Sequence, residues 1–76
     1  MAAKAFVLIE TVVGRTREVI SSIKSLEGVK SVDTVTGPYD VIAIIQGENL
    51  NVIGDIVTGK IHPISGISRT VTCLAI

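Results

Sequence analysis

Hydrophobic positions fall into two different periods along the chain, and the switches between them define its elements. Ala5-Phe6-Val7-Leu8-Ile9 is apolar at every position and contains β-branched and aromatic types, the pattern of a strand covered on both faces. After Gly14 the period becomes helical. Val19, Ile20, Ile23 and Leu26 recur on one side, with Arg15, Arg17, Glu18, Ser22 and Lys24 on the other, which predicts an amphipathic helix over Arg15 to Leu26. Gly28 is expected to cap that helix, and Val29 to Val35 follows as a more polar strand suited to a sheet edge. Asp40 to Gln46 is apolar throughout its interior and predicts a second central strand. Asn49 then stands as an N-cap with Glu48 beside it, and Leu50, Ile53, Ile56 and Val57 form a second helical stripe. Gly54 and Gly59 each cost this helix about 1 kcal/mol relative to Ala, so it is the weaker of the two. His62-Pro63 ends it, and Ile67 to Ile76 is the last strand.

The resulting order is βαββαβ. Gly28-Val29-Lys30-Ser31-Val32 and Gly66-Ile67-Ser68-Arg69-Thr70 occupy the same place after their helices, so each half is one βαβ unit. Two such halves combine as an α+β, ferredoxin-like fold: a four-stranded antiparallel sheet with both helices on one face and the first and third strands in the middle. Both middle strands are apolar on both faces, and the helices cover only one. A second copy is expected on the open face.

Composition sharpens that expectation. At 76 residues, 47% of them hydrophobic and only 3% aromatic, the chain carries more apolar surface than so small a domain hides by itself. Lys+Arg and Asp+Glu number 7 each, which leaves no electrostatic footprint for nucleic acid or an anionic membrane. The single cysteine, Cys73, excludes an intrachain disulfide and a cysteine-based metal cluster, and its apolar surroundings predict a small buried hydrophobe. The short apolar run near the amino terminus falls below a signal-peptide core, and no run reaches the length of a membrane span, so a cytoplasmic location is expected.

The concentrated polar chemistry lies in Thr36-Gly37-Pro38-Tyr39-Asp40, between two apolar segments. Gly37-Pro38 punctuates a turn, which reads as a β-hairpin with Tyr39 and Asp40 at the mouth of its second strand. A phenol, a carboxylate and the backbone N–H groups of a fixed turn are able to hold a small zwitterion, with Asp40 the candidate for its ammonium group. The plain alternative is a turn whose Asp bonds its own backbone. Thr70 and Thr72 have the same two readings, ligand contact or simple strand preference.

Glu27-Gly28-Val29-Lys30-Ser31-Val32, then Val35-Thr36-Gly37-Pro38-Tyr39-Asp40-Val41, then Gly66-Ile67 with Thr70-Val71-Thr72, resemble the effector-binding domain of the leucine-responsive and asparagine-responsive (Lrp/AsnC) regulator family. The resemblance covers essentially the whole chain. It implies a single stand-alone ligand-binding domain over residues 1–76 without a helix-turn-helix. It further implies a homodimer through the open sheet faces, rings of dimers, and an amino acid or similar effector where subunits meet. Thr36, Gly37, Pro38, Tyr39 and Asp40 match the family's effector loop, and Thr70 and Thr72 match polar residues of its final strand. Arg69 has no counterpart in that pattern. Full-length family regulators are implied as partners, with no cofactor and no direct contact to DNA.

Two rival readings remain. One is a small dimeric ferredoxin-like enzyme, since fold alone does not set function; the other is an assembly module with an empty pocket. An enzyme needs acid–base or cofactor groups. The one histidine, His62, stands beside Pro63 at a helix end, where exposure near the helix dipole is the plain reading, and no paired carboxylates, metal-ligand spacing or phosphate-cradling loop occurs.

Overall fold

In the computed structural model, which describes residues 2–76, the chain runs β1 (Ala3–Thr11), α1 (Thr16–Lys24), β2 (Val29–Thr34), β3 (Val41–Gly47), α2 (Leu50–Ile56), a π-helical turn (Val57–Ile61) and β4 (Ile67–Leu74). The four strands form one antiparallel sheet in the order β2-β3-β1-β4, the ferredoxin-like arrangement with the two apolar strands in the middle. Alternation along those strands explains the position. Ala5, Val7 and Ile9 of β1 and Val41, Ala43 and Ile45 of β3 are fully buried beneath Val19, Ile23, Ile53, Ile56, Val57 and Ile61 of the helical layer. The intervening Phe6, Leu8, Ile42 and Ile44 point the other way and are only half-buried, so the face away from the helices is apolar and open.

Local chemistry accounts for the helices. α1 buries Val19 and Ile23 and carries an Arg15–Glu18 ion pair of 2.9 Å across its first turn. It ends at Lys24 with Ser25 as its cap, two residues earlier than the periodicity predicts, where the Ser25 hydroxyl donates to the Ser22 carbonyl at 2.8 Å and the Leu26 N–H to the Ile23 carbonyl at 3.0 Å. Gly28 therefore does not cap the helix. With φ +94° it swings the chain into β2, and Gly66, at φ +100°, does the same before β4, which is the structural content of the internal repeat.

Asn49 caps α2 as expected, its side chain accepting from Val52 N–H at 3.0 Å. Beyond Ile56 the helix widens into the π turn, closed by His62 N–H to the Val57 carbonyl at 2.9 Å. In a regular α-helix each i+4 position runs about 40° past a full turn. The wider π turn counters that drift and keeps Ile61 in line with Ile53 and Val57, all three buried. No helix among the described residues is long and apolar enough to cross a membrane.

Candidate functional site

The β2–β3 connection closes where Val35 N–H donates to the Asp40 carbonyl at 2.9 Å, leaving Thr36, Gly37, Pro38 and Tyr39 as the loop. Gly37 takes φ +131°, and a Cβ built there meets nothing within 4 Å, so the backbone of the loop is open on that side. The loop is tied to β1 by Asp40 N–H to the Ile9 carbonyl at 3.0 Å.

Asp40 makes the strongest local attachment. Its Oδ2 accepts from the Thr11 N–H at 2.8 Å and from the Thr11 hydroxyl at 3.2 Å. Because the Thr11 hydroxyl donates to the carboxylate, the 2.6 Å contact between the Thr11 and Thr16 hydroxyls has Thr16 as donor. The relay joins the turn, the end of β1 and the first residue of α1 through Thr11, the one buried polar residue among those described. Asp40 thus bonds backbone, as the plain reading of the turn has it, but the backbone belongs to another strand.

Tyr39 goes to the opposite side. Its hydroxyl accepts from Arg69 Nη2 at 2.9 Å, and the guanidinium carbon lies 5.3 Å from the ring centroid. Arg69 pairs with Glu10 in the register, in phase with Val71 opposite Leu8 and Cys73 opposite Phe6, so this pair belongs to the open sheet face. Arg69, which the sequence pattern leaves without a role, anchors the turn from β4.

Thr70 and Thr72 lie on the helix-facing side, opposite Ile9 and Val7. The Thr70 hydroxyl is 2.9 Å from His62 Nε2, and Thr72 lines a shallow groove between α2 and β4 with Leu50, Ile53, Gly54 and Thr58. Within one chain Asp40 and Thr70 therefore share a face and an end of the sheet, Tyr39 stands on the other face, and Thr72 lies farther down β4. Other concave surfaces lie at the far end, around Gln46, Gly47, Glu48 and Asn49.

Three residues that bear on the turn escape sequence reasoning: Thr11, Thr16 and Arg69. Thr11 carries a usable signal, since it is a polar residue in the buried phase of an otherwise apolar strand and so needs a partner. Cys73 is a correction. It is exposed in the single chain, because its strand is an edge and its side shares the open face with Phe6. Among the described residues no group of three or more His, Cys, Asp or Glu stands close enough to hold a metal ion.

Comparison with known proteins agrees with this architecture. An HTH-type transcriptional regulator of Pyrococcus horikoshii is 36% identical over 59 residues, 78% of this chain and 39% of that protein, so the chain matches well under half the length of such regulators. The crystal structure of TTHA0845 from Thermus thermophilus is 36% identical and superposes with a TM-score of 0.93, covering 97% of this chain and 92% of that one. The transcriptional regulator NMB0573 of Neisseria meningitidis, solved as an L-Met complex, shares the fold at 17% identity, with a TM-score of 0.87 over 97% of this chain and 49% of that one. The sequence profile of the Lrp/AsnC ligand binding domain matches residues 4–76, and the chain belongs to that family.

Proposed function

We propose that this chain is an oligomeric small-molecule-binding domain that takes an amino acid at the Thr36–Asp40 turn, near a subunit boundary. The observation that carries the reading is the turn itself: a family effector-loop sequence pinned at both sides, by Asp40 to Thr11 and by Tyr39 to Arg69, with the backbone at Gly37 left open. A zwitterion needs donors for its carboxylate and an acceptor for its ammonium group. The N–H groups of Thr36, Gly37 and Tyr39 supply the first. The Asp40 carboxylate, whose bonds within the chain fall on Oδ2, supplies the second through Oδ1. Pro38 fixes the loop, and Thr70 on the same side, with Thr72 beyond it, orients the ligand. The turn lines none of the concave surfaces described above, so a second subunit completes the site. The L-Met complex of the Neisseria meningitidis regulator supports an amino acid as the ligand class.

The open face of β1 and β3 is the dimer surface in this reading, and further dimers assemble around the turns. With no excess of positive charge, the chain acts on transcription or amino-acid metabolism by joining DNA-binding relatives rather than by touching DNA. It performs no turnover. A thermal-shift screen against the twenty amino acids tests the reading, because a native-state ligand at 100 times its dissociation constant adds about 2.7 kcal/mol of stability. One or a few amino acids are expected to raise the melting temperature, and a flat response at millimolar concentration contradicts the proposal.

A further inference from the structure

Ala5, Val7, Ile9 and Thr11 occupy the buried phase of β1, and Thr11 alone of them is polar. Valine has nearly the same shape and fills that place without burying a hydroxyl, which is unfavourable unless the hydroxyl is bonded. Nor does the backbone need the hydroxyl. The Thr11 N–H donates to Asp40 Oδ2 at 2.8 Å and the Asp40 N–H to the Ile9 carbonyl at 3.0 Å, and these two bonds already close the turn onto β1. The further bond, from the Thr11 hydroxyl to the same Oδ2 at 3.2 Å, is explained by what it does to the carboxylate.

The last torsion of an aspartate side chain is broad and roughly twofold, so a single donor leaves the carboxylate free to rock and to exchange its two oxygens. The amide and the hydroxyl of Thr11 converge on Oδ2 and fix the plane of the group, leaving Oδ1 without a bond among the described residues. A threonine hydroxyl has one proton and rotates to suit its partners. The Thr16 hydroxyl, 2.6 Å away at the start of α1, donates to the Thr11 oxygen and so commits the Thr11 proton to Asp40. Each donor in such a chain strengthens the next. Thr16 thus acts on Asp40 without bonding to it.

We propose that Thr11 and Thr16 are positioning residues for the amino-acid site: their hydroxyls hold Asp40 by Oδ2 in the rotation that presents Oδ1 to the ligand's ammonium group. The inference rests on the reading of the Thr36–Asp40 turn as that site. Two probes test it, the amino acid that raises the melting temperature most among the twenty and its deaminated analogue, which has hydrogen in place of the amino group. Both are measured by calorimetry, the weaker in competition with the stronger. Thr11→Val keeps the shape and the amide donor and loses the hydroxyl, and it is expected to bind the amino acid roughly three- to tenfold more weakly and the analogue as before. Thr16→Val is expected to show the same selective loss, and it carries the test should Thr11→Val fail to fold. Thr11→Ser and Thr16→Ser keep the hydroxyls and are expected to bind the amino acid within about twofold of the wild type. Ile23→Val, a core truncation in α1, is expected to lower the melting temperature and leave both affinities unchanged. Wild-type affinity for the amino acid in either valine variant overturns the positioning role, and so does an equal loss for amino acid and analogue, which marks a general distortion of the turn. A flat screen, or Asp40→Asn binding as the wild type does, removes the amino-acid reading of the turn and the positioning role with it. Wild-type binding by the valine variants alone removes only the positioning role.

Discussion

Replacing Asp40 by alanine removes the acceptor of the Thr11 N–H, which sits in a residue only 9% exposed. The Thr11 hydroxyl retains Thr16 as a partner, but the amide has nowhere to turn, because it lies where the register between β1 and β4 is irregular. An unsatisfied buried donor costs about 1–3 kcal/mol. For a domain of this size each kcal/mol moves the melting temperature by about 4–8 °C, so Asp40→Ala is expected to melt roughly 5–20 °C below the wild type. Asp40→Asn keeps an oxygen at the same place and loses only the charge, so its loss is expected to be about 1 kcal/mol. Thermal unfolding followed by circular dichroism resolves the difference, provided all three proteins are compared at one protomer concentration, since self-association makes the midpoint concentration-dependent. An Asp40→Ala melting temperature within about 2 °C of the wild type refutes the reasoning, for it means that the Thr11 amide loses nothing.

The open face is expected to make the protein dimeric or larger at micromolar concentration, and light scattering that gives a stable 8.0 kDa species contradicts this. Ile42→Lys, on the same face, is expected to disperse the assembly without unfolding the protomer. Two glycine substitutions are expected to act in opposite directions in chemical denaturation. Gly28→Ala forces a Cβ to within 2.7 Å of Ile56 Cδ1 at φ +94° and is expected to destabilise by about 1–2 kcal/mol or more. Gly54→Ala, inside α2 with open space around it, is expected to stabilise by about 0.5–1 kcal/mol. The pure protein is expected to give no salt-dependent gel shift with duplex DNA near physiological ionic strength, and a clear shift overturns the charge argument.

What was legible in the sequence follows from the range of the interactions. β1 and β3 declare themselves as central strands because both phases of their alternation are apolar, and each has a paired strand on either side. The π turn is not legible, since Ile53, Val57 and Ile61 keep an i, i+4 spacing that both helix types share. The turn residues stand out by their chemistry, yet their partners do not. Asp40 reaches Thr11 and Tyr39 reaches Arg69 across 29 and 30 residues, contacts that depend on the strand register rather than on local pattern. The same dependence hides which faces Thr70 and Tyr39 occupy. Cys73 reads as buried because its neighbours are apolar, but an edge strand facing the open side has nothing in its own chain to cover it.

Isothermal calorimetry of the stabilising amino acid against the wild type, Asp40→Asn and Lys24→Ala tests the binding role of the turn most directly. Lys24 is exposed in the last turn of α1 and takes no part in the site, so Lys24→Ala is expected to bind as the wild type does. Asp40→Asn, which keeps its bond to Thr11 and loses the charge that meets the ammonium group, is expected to bind roughly tenfold or more weakly. Equal affinity in all three proteins contradicts the account, and leaves Asp40 as no more than the clasp between the turn and β1.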